Sequence, residues 1–321
     1  LLAVAFGAGA STGVAGGANA LVFQNHVTAA LGGSIGTEDN RVLAVKVVAD
    51  TNSTLVNVAA AAGLGGTVGA AGVAVVTYFY NETLAYVKDG TYVKDGTYVK
   101  NGSKIYAAGS VEILASSKEL VTADAAGAAF GGTAGVGGTL DIVVTKVVTK
   151  AYTEDHVVIN ATGSESDITV RADDKYDLIA VVGTVAASGT AGVGVSVLTT
   201  VSYNTVSAVI GNNNTINAGR DITVSAASDR LVQGYVLTVG GGSVGVSGSI
   251  MVVVAGSLLT EDAHNGIYVS NDEASAMDPQ KQTDGAFSQA HSAAQGYKPQ
   301  ESLTVLLASD GSSAKGTAEG N

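Results

Sequence analysis

The stretch from Gly189 to Gly211, GTAGVGVSVLTTVSYNTVSAVIG, constrains the fold more than any other part of the chain. Val193, Val195 and Val197 alternate with Gly192, Gly194 and Ser196, the period of two expected of a strand. Glycine at such regular places weakens a strand unless another backbone must come close there. The element recurs as GASTGVAGG at 9–17, GGTVGAAG at 65–72, GGTAGVGG at 131–138 and GGSVGVSG at 241–248. Its central glycines, Gly13, Gly69, Gly135, Gly192 and Gly245, lie 56, 66, 57 and 53 residues apart. These five are the anchors of an internal repeat.

A second element shares the repeat. VKVVADTNSTLV (45–56), VEILASSKELV (111–121), ITVRADDKYDL (168–178) and ITVSAASDRLV (222–232) are apolar-alternating strands running into polar turns, with a later copy at LTVLLASDGSS (303–313). From Ala49, Ala115, Ala172 and Ala226 to the next central glycine is 20, 20, 20 and 19 residues, whereas the return from glycine to alanine varies from 34 to 63. A unit rigid in one half and variable in the other is how stacked repeats behave. The spacing predicts that the four alanines occupy equivalent buried places and that the glycines face a neighbouring backbone.

The expected fold is all-β, a repetitive β-solenoid of the parallel β-helix kind with about five 53–57-residue units over 1–270. Each unit is either three coils of roughly 18–19 residues, giving a rod on the order of 70 Å, or one wide coil whose glycine strand doubles back. Small residues would then allow tight sheet contact, with valines filling a dry stack. Two insertions explain the long intervals. In YVKDGTYVKDGTYVKNGSKIY (86–106) the pairs Asp89-Gly90, Asp95-Gly96 and Asn101-Gly102 read as turns of a small meander. Residues 271–300, holding the only prolines, Pro279 and Pro299, read as a polar loop with a short helix near Phe287–Ala294. Residues 301–321 read as the start of a further repeat.

Composition narrows the function. A net charge of −12 argues against nucleic acid and anionic membranes. The absence of cysteine removes disulfides and thiolate metal sites. LLAVAFGAGA at the start resembles a signal-peptide core but lacks a basic leader and shares the repeat texture, so it reads as repeat. Residues 1–37, 51–81, 178–219 and 231–260 carry no Asp, Glu, Lys or Arg, and each is long enough to span a bilayer as a helix. Their Gly, Ser, Thr and Val alternation favours strands instead. The lack of an initial Met and a stop within a repeat mark the chain as part of something longer.

At Ile168–Ala172 with Gly189–Val197, and at Ile222–Ala226 with Gly241–Ile250, the chain resembles the repeats of very large secreted bacterial filamentous adhesins, the filamentous-haemagglutinin-like and leukotoxin-type proteins. The match is one of composition and period, and covers nearly everything but the insertions. It implies a cell-surface or secreted fibre that works by contact, with a glycan or protein of a host or neighbouring cell as partner and possible self-association into fibres. It brings no catalytic residue and no cofactor.

The residues themselves offer little chemistry. A β-helical polysaccharide-degrading enzyme needs clustered carboxylates beside aromatics, and with 5% aromatic residues no such constellation is legible. A membrane-embedded assembly is the third reading. Thr37-Glu38-Asp39, Thr153-Glu154-Asp155-His156 and Thr260-Glu261-Asp262 recur after glycine strands and offer oxygens to Ca²⁺, but they read more simply as solvated turns. The four histidines are too scattered for zinc. Asn52, Asn81, Asn101, Asn160 and Asn213 stand in N-x-S/T sequons. Six of twelve tyrosines fall between Tyr78 and Tyr106, and at the six-residue period Tyr86, Tyr92 and Tyr98 share one face of the meander, a candidate contact stripe or the meander's own core.

Overall fold

The computed structural model describes residues 1–92, 98–100 and 102–256, with Thr91, Tyr92, Tyr98 and Val99 described as backbone only. The expected continuation of the solenoid over 257–270, the polar loop at 271–300, the further repeat at 301–321, the turn at Asp95-Gly96 and Asn101 therefore lie outside the described residues. Each repeat is one wide coil. The first is β1 (Leu2–Gly9), β2 (Thr12–Leu31) and β3 (Ser34–Ile35). The second is β4 (Val45–Gly65), β5 (Val68–Val87), a hairpin of β6 (Thr91–Tyr92) and β7 (Tyr98–Val99), and β8 (Lys104–Ala107). The third is β9 (Val111–Gly131), β10 (Ala134–Thr153) and β11 (Val158–Ala161). The fourth is β12 (Ile168–Ser188), β13 (Ala191–Ile210) and β14 (Thr215–Ala218), and the fifth is β15 (Ile222–Gly241) with β16 (Val244–Gly256).

Like strands stack in parallel into three sides. Side A runs β1-β4-β9-β12-β15, side B runs β2-β5-β10-β13-β16, and the short side C runs β3-β8-β11-β14. The all-β solenoid is as expected, and of the two coil geometries the single wide one holds. Five rungs at about 4.8 Å give a stack roughly 24 Å tall, while strands of 20–21 residues span about 65 Å across it. No helix occurs among the described residues, and within them the charge-free stretches are strands joined by short turns.

The repeat register is the one counted from the sequence. Gly13, Gly69, Gly135, Gly192 and Gly245 are direct cross-strand partners. Ala49, Ala115, Ala172 and Ala226 form a column, the first three buried. Ala226 is exposed because no described strand covers the outer edge of β15.

Why the coil is a blade follows from the inward residues. At the broad end, next to side C, the core holds Ile113, Val170, Ile105 and Ile159. Midway, Phe23 stacks on Phe79 at 5.2 Å, opposite buried Leu55 and Leu178. Toward the A–B turn the inward positions shrink to Ala61, Ala71, Ala129 and Ala186, and then to glycine. The two sheets converge until backbone meets backbone: a Cβ built on Gly135 would sit 2.6 Å from the Ala187 carbonyl oxygen. The valines of the glycine-rich stretch do not fill this pinch, although Val73 and Val75 of β5 are buried in the core beside it. Val136 and Val195 point outward and remain 49% and 44% exposed, because the small residues occupy the inner face.

The six-residue tandem is described only in part. Tyr86 belongs to β5, and Thr91 and Tyr92 pair antiparallel with Val99 and Tyr98 as one hairpin. The Gly102 N–H donates to the Asp89 carbonyl, 2.7 Å, closing its base. Deleting Val87–Tyr98 joins Tyr86 to Val99, placing Val99 in the buried position of Val87 and Lys100 in that of Lys88. The expected outcome is a folded solenoid whose stability changes by less than about 1 kcal/mol in chemical denaturation. A variant that fails to fold would show that the hairpin supports the core.

Candidate contact surface

The outer face of side B carries the aromatic groups. Tyr86 and Tyr152 are register partners on adjacent rungs, and their rings stack at 4.8 Å and 5°. Six residues back along the strands, Tyr80, Lys146 and Tyr203 share one row, with the Lys146 Nζ 5.6 Å from the Tyr80 ring centre. The Lys88 Nζ lies 5.9 Å from the Tyr86 ring. His26 tilts against Tyr80 at 5.1 Å and pairs with Glu82 at 2.8 Å. Beside this row Tyr78, Ile142, Val144 and Val201 pack on the outer side of the sheet into an apolar cluster that is itself buried.

Rings over ammonium groups suit the apolar faces of sugars or planar peptide groups. Of the expected stripe of Tyr86, Tyr92 and Tyr98, only the Tyr86 side chain is among the described residues. The stacking partner of Tyr86 is Tyr152, supplied by the next rung, and the side chains of Tyr92 and Tyr98 lie outside the described residues. Counting from the anchors would have found the pair, since Gly69 to Tyr86 and Gly135 to Tyr152 are both 17 residues.

The interior holds a second polar arrangement that sequence reading missed. The Asn25 Nδ2 donates to the Asn81 Oδ1 at 2.9 Å, and the Asn81 Nδ2 donates to the Glu119 Oε1 at 2.5 Å. Two positions away on the inner face, Asp174 accepts from the Ser117 Oγ at 2.8 Å, the Asn204 Nδ2 at 2.8 Å and the Ser228 Oγ at 3.3 Å. The chain of contacts thus crosses all five rungs. Glu119 lies beside Ser117 and the Asp174 carboxyl with its Oε2 buried, so a proton held on Glu119 relieves the repulsion between the two acids. Burial, with the Asp174 charge second, pushes the Glu119 carboxyl up to about 8. Asp141, buried with both oxygens unpartnered, is likewise pushed to about 8 by burial and then by Asp124. Their places were countable: Glu119 is four residues beyond Ala115 and Asp141 six beyond Gly135, even offsets from inward anchors.

The acidic turns bind backbone. Glu154 accepts the Asp89 N–H at 2.8 Å, and Asp155 accepts the Asn212 N–H at 2.6 Å. Thr260–Asp262 lie outside the described residues, among which no three acids or histidines converge on a metal position. Of the sequons, Asn81 is fully buried and committed to Glu119. Against protein-family models, curated proteins and solved structures alike, the chain finds no match.

Proposed function

We propose that the chain is a structural and adhesive segment of a cell-surface or secreted bacterial filament, acting by contact and without catalysis or cofactor. What supports the reading is the in-register parallel stack, in which every inner rung rests on the rungs above and below it. Such a stack lengthens by adding rungs, and its loops can vary without disturbing it. Within the tyrosine–lysine rows of side B the half-buried Tyr80, Tyr86 and Lys88 are the contact surface, directed at a glycan or protein of a host or neighbouring cell, and buried Tyr152 and Lys146 support them from the adjacent rung.

The test is binding of the full chain to fixed cells and to a panel of immobilised cell-surface glycans. Tyr86→Ala is expected to weaken binding by about tenfold or more, with the thermal unfolding midpoint nearly unchanged. Equal binding by the variant would remove the tyrosine row from the contact. Release of reducing ends from a polysaccharide would replace the whole reading by the enzymatic one.

A further inference from the structure

Charge is unevenly distributed along the blade. From the A–B turn to the row of Val76 and Ile142, no Asp, Glu, Lys or Arg points out of side B on any of the five rungs. Over the matching half of side A only Asp124 does, and its carboxyl accepts the Val181 N–H. Asp124 apart, the thin half is therefore free of charge on two opposite outer faces, which are exposed or half-buried except at the inner margin of side B, where Ile142 and Thr199 are buried. Monomeric proteins rarely leave patches of that extent without a partner.

The two faces differ in relief. Side A bears bulk: Phe6, Leu237 and Phe130 stand out, 66%, 64% and 42% exposed, with Leu64 between the two phenylalanines. Side B is hollow. Gly16, Gly72, Gly138 and Gly248 share one row with Val195, and a Cβ on any of the last three glycines would meet nothing within 4 Å. The hollow is a trough of about 590 Å³. Ridge and trough both run across the rungs, along the same direction of the stack.

We propose that the thin half of the blade is a self-association surface on which side A of one copy seats its Phe6–Phe130 ridge in the glycine trough of side B of the next. A second copy is the occupant because the partner must itself offer one bulky and one hollow apolar face. Two A faces would set phenylalanine against phenylalanine, and two B faces would enclose a void. Nine residues of about 3.3 Å across five strands about 4.8 Å apart give on the order of 700 Å² per partner, close to the roughly 800 Å² of a stable complex. Because the two surfaces differ, the contact is head-to-tail and leaves each new copy with an open face, so growth is lateral and unbounded. This deepens the filament reading, on which its biological setting rests.

Sedimentation velocity of the full chain over a concentration series tests it. The wild type is expected to grow in mass with concentration, without stopping at a dimer. Phe130→Asp removes the ridge, and Gly138→Leu fills the trough where its side chain meets open space; each alone is expected to be monomeric with an unchanged circular-dichroism spectrum. Mixed in equal amounts, the two retain one intact ridge and one intact trough between them, so they are expected to form dimers and nothing larger. Should Phe130→Asp unfold, Phe6→Asp replaces it. A wild type that stays monomeric throughout, or a Gly138→Leu variant that assembles like the wild type, overturns the proposal. So does a monomeric wild type that co-floats with phosphatidylcholine vesicles, which would make the occupant lipid. A monomer that still binds cells would leave the adhesive reading intact while removing this one.

Discussion

The unfolding midpoint is expected to fall when the pH is raised from about 5 to about 9, by an amount worth several kcal/mol. Glu119 and Asp141 both hold their protons far more tightly in the fold than in the unfolded chain, where they titrate near 4.5 and 3.8. A carboxyl whose folded pKa is raised contributes stability that is complete below its unfolded pKa. That stability declines as pH climbs to the folded value, here about 8, and is flat beyond it. At about 1.4 kcal/mol per unit, each group accounts for at most on the order of 5 kcal/mol across the window. Glu119→Gln keeps an acceptor for Asn81 and supplies through its Nε2 the donor that Asp174 otherwise obtains from a proton. Asp141→Leu reproduces the residue that Leu198 places in the same row of the next rung. The double variant is expected to be more stable than the wild type at about pH 9 and nearly independent of pH. Denaturant titrations at the two pH values decide the matter: equal wild-type midpoints, or a slope that survives the double substitution, would refute the shared-proton interior.

The second large effect is steric. A Cβ at Gly192 would penetrate the carbonyl of Gly241 on the next rung and lie 2.7 Å from that of Ala186 on its own. Neither neighbour is a flexible side chain, so Gly192→Val must part the two sheets where they converge. The cost is expected at or above the upper end of the ~1–3 kcal/mol usual for overpacking. Gly138→Ala, one strand away but directed outward into open space, is the control and should be neutral within about 0.5 kcal/mol. Similar midpoints for Gly192→Val and wild type would mean that the sheets are separated at this edge.

The legibility of the chain follows from what each signal depends on. The repeat and its register were readable because Gly192 and its counterparts are a backbone requirement, and no other residue type can substitute where two sheets touch. The number of coils per unit was not, because a period of two says where side chains alternate and nothing about where a strand bends. That the glycine face of GTAGVGVSV meets another backbone was legible too; what was not is that its valines then lie on the outer face, since the pinch at Gly135 and Gly192 turns only the small residues inward. The stacking of Tyr86 on Tyr152 was not legible from the local period of six, because it is fixed by a long-range period of 66. Glu119 and Asp141 escaped notice because an isolated acid in a strand reads as solvated, and only parity counted from the buried alanine and glycine places them within.

The strands run across the stack, and this has a mechanical consequence. Tension along the stacking axis falls on the ladder bonds of one rung at a time, loading them lengthwise, so layers peel singly instead of shearing together. Each released layer frees some 53–66 residues of chain, nearly 200 Å of slack at about 3.3–3.6 Å per residue, from a thickness of about 4.8 Å. A tether built this way lengthens roughly fortyfold per yielding layer. It would dissipate a pull locally and leave the remaining layers, with whatever they grip, in place.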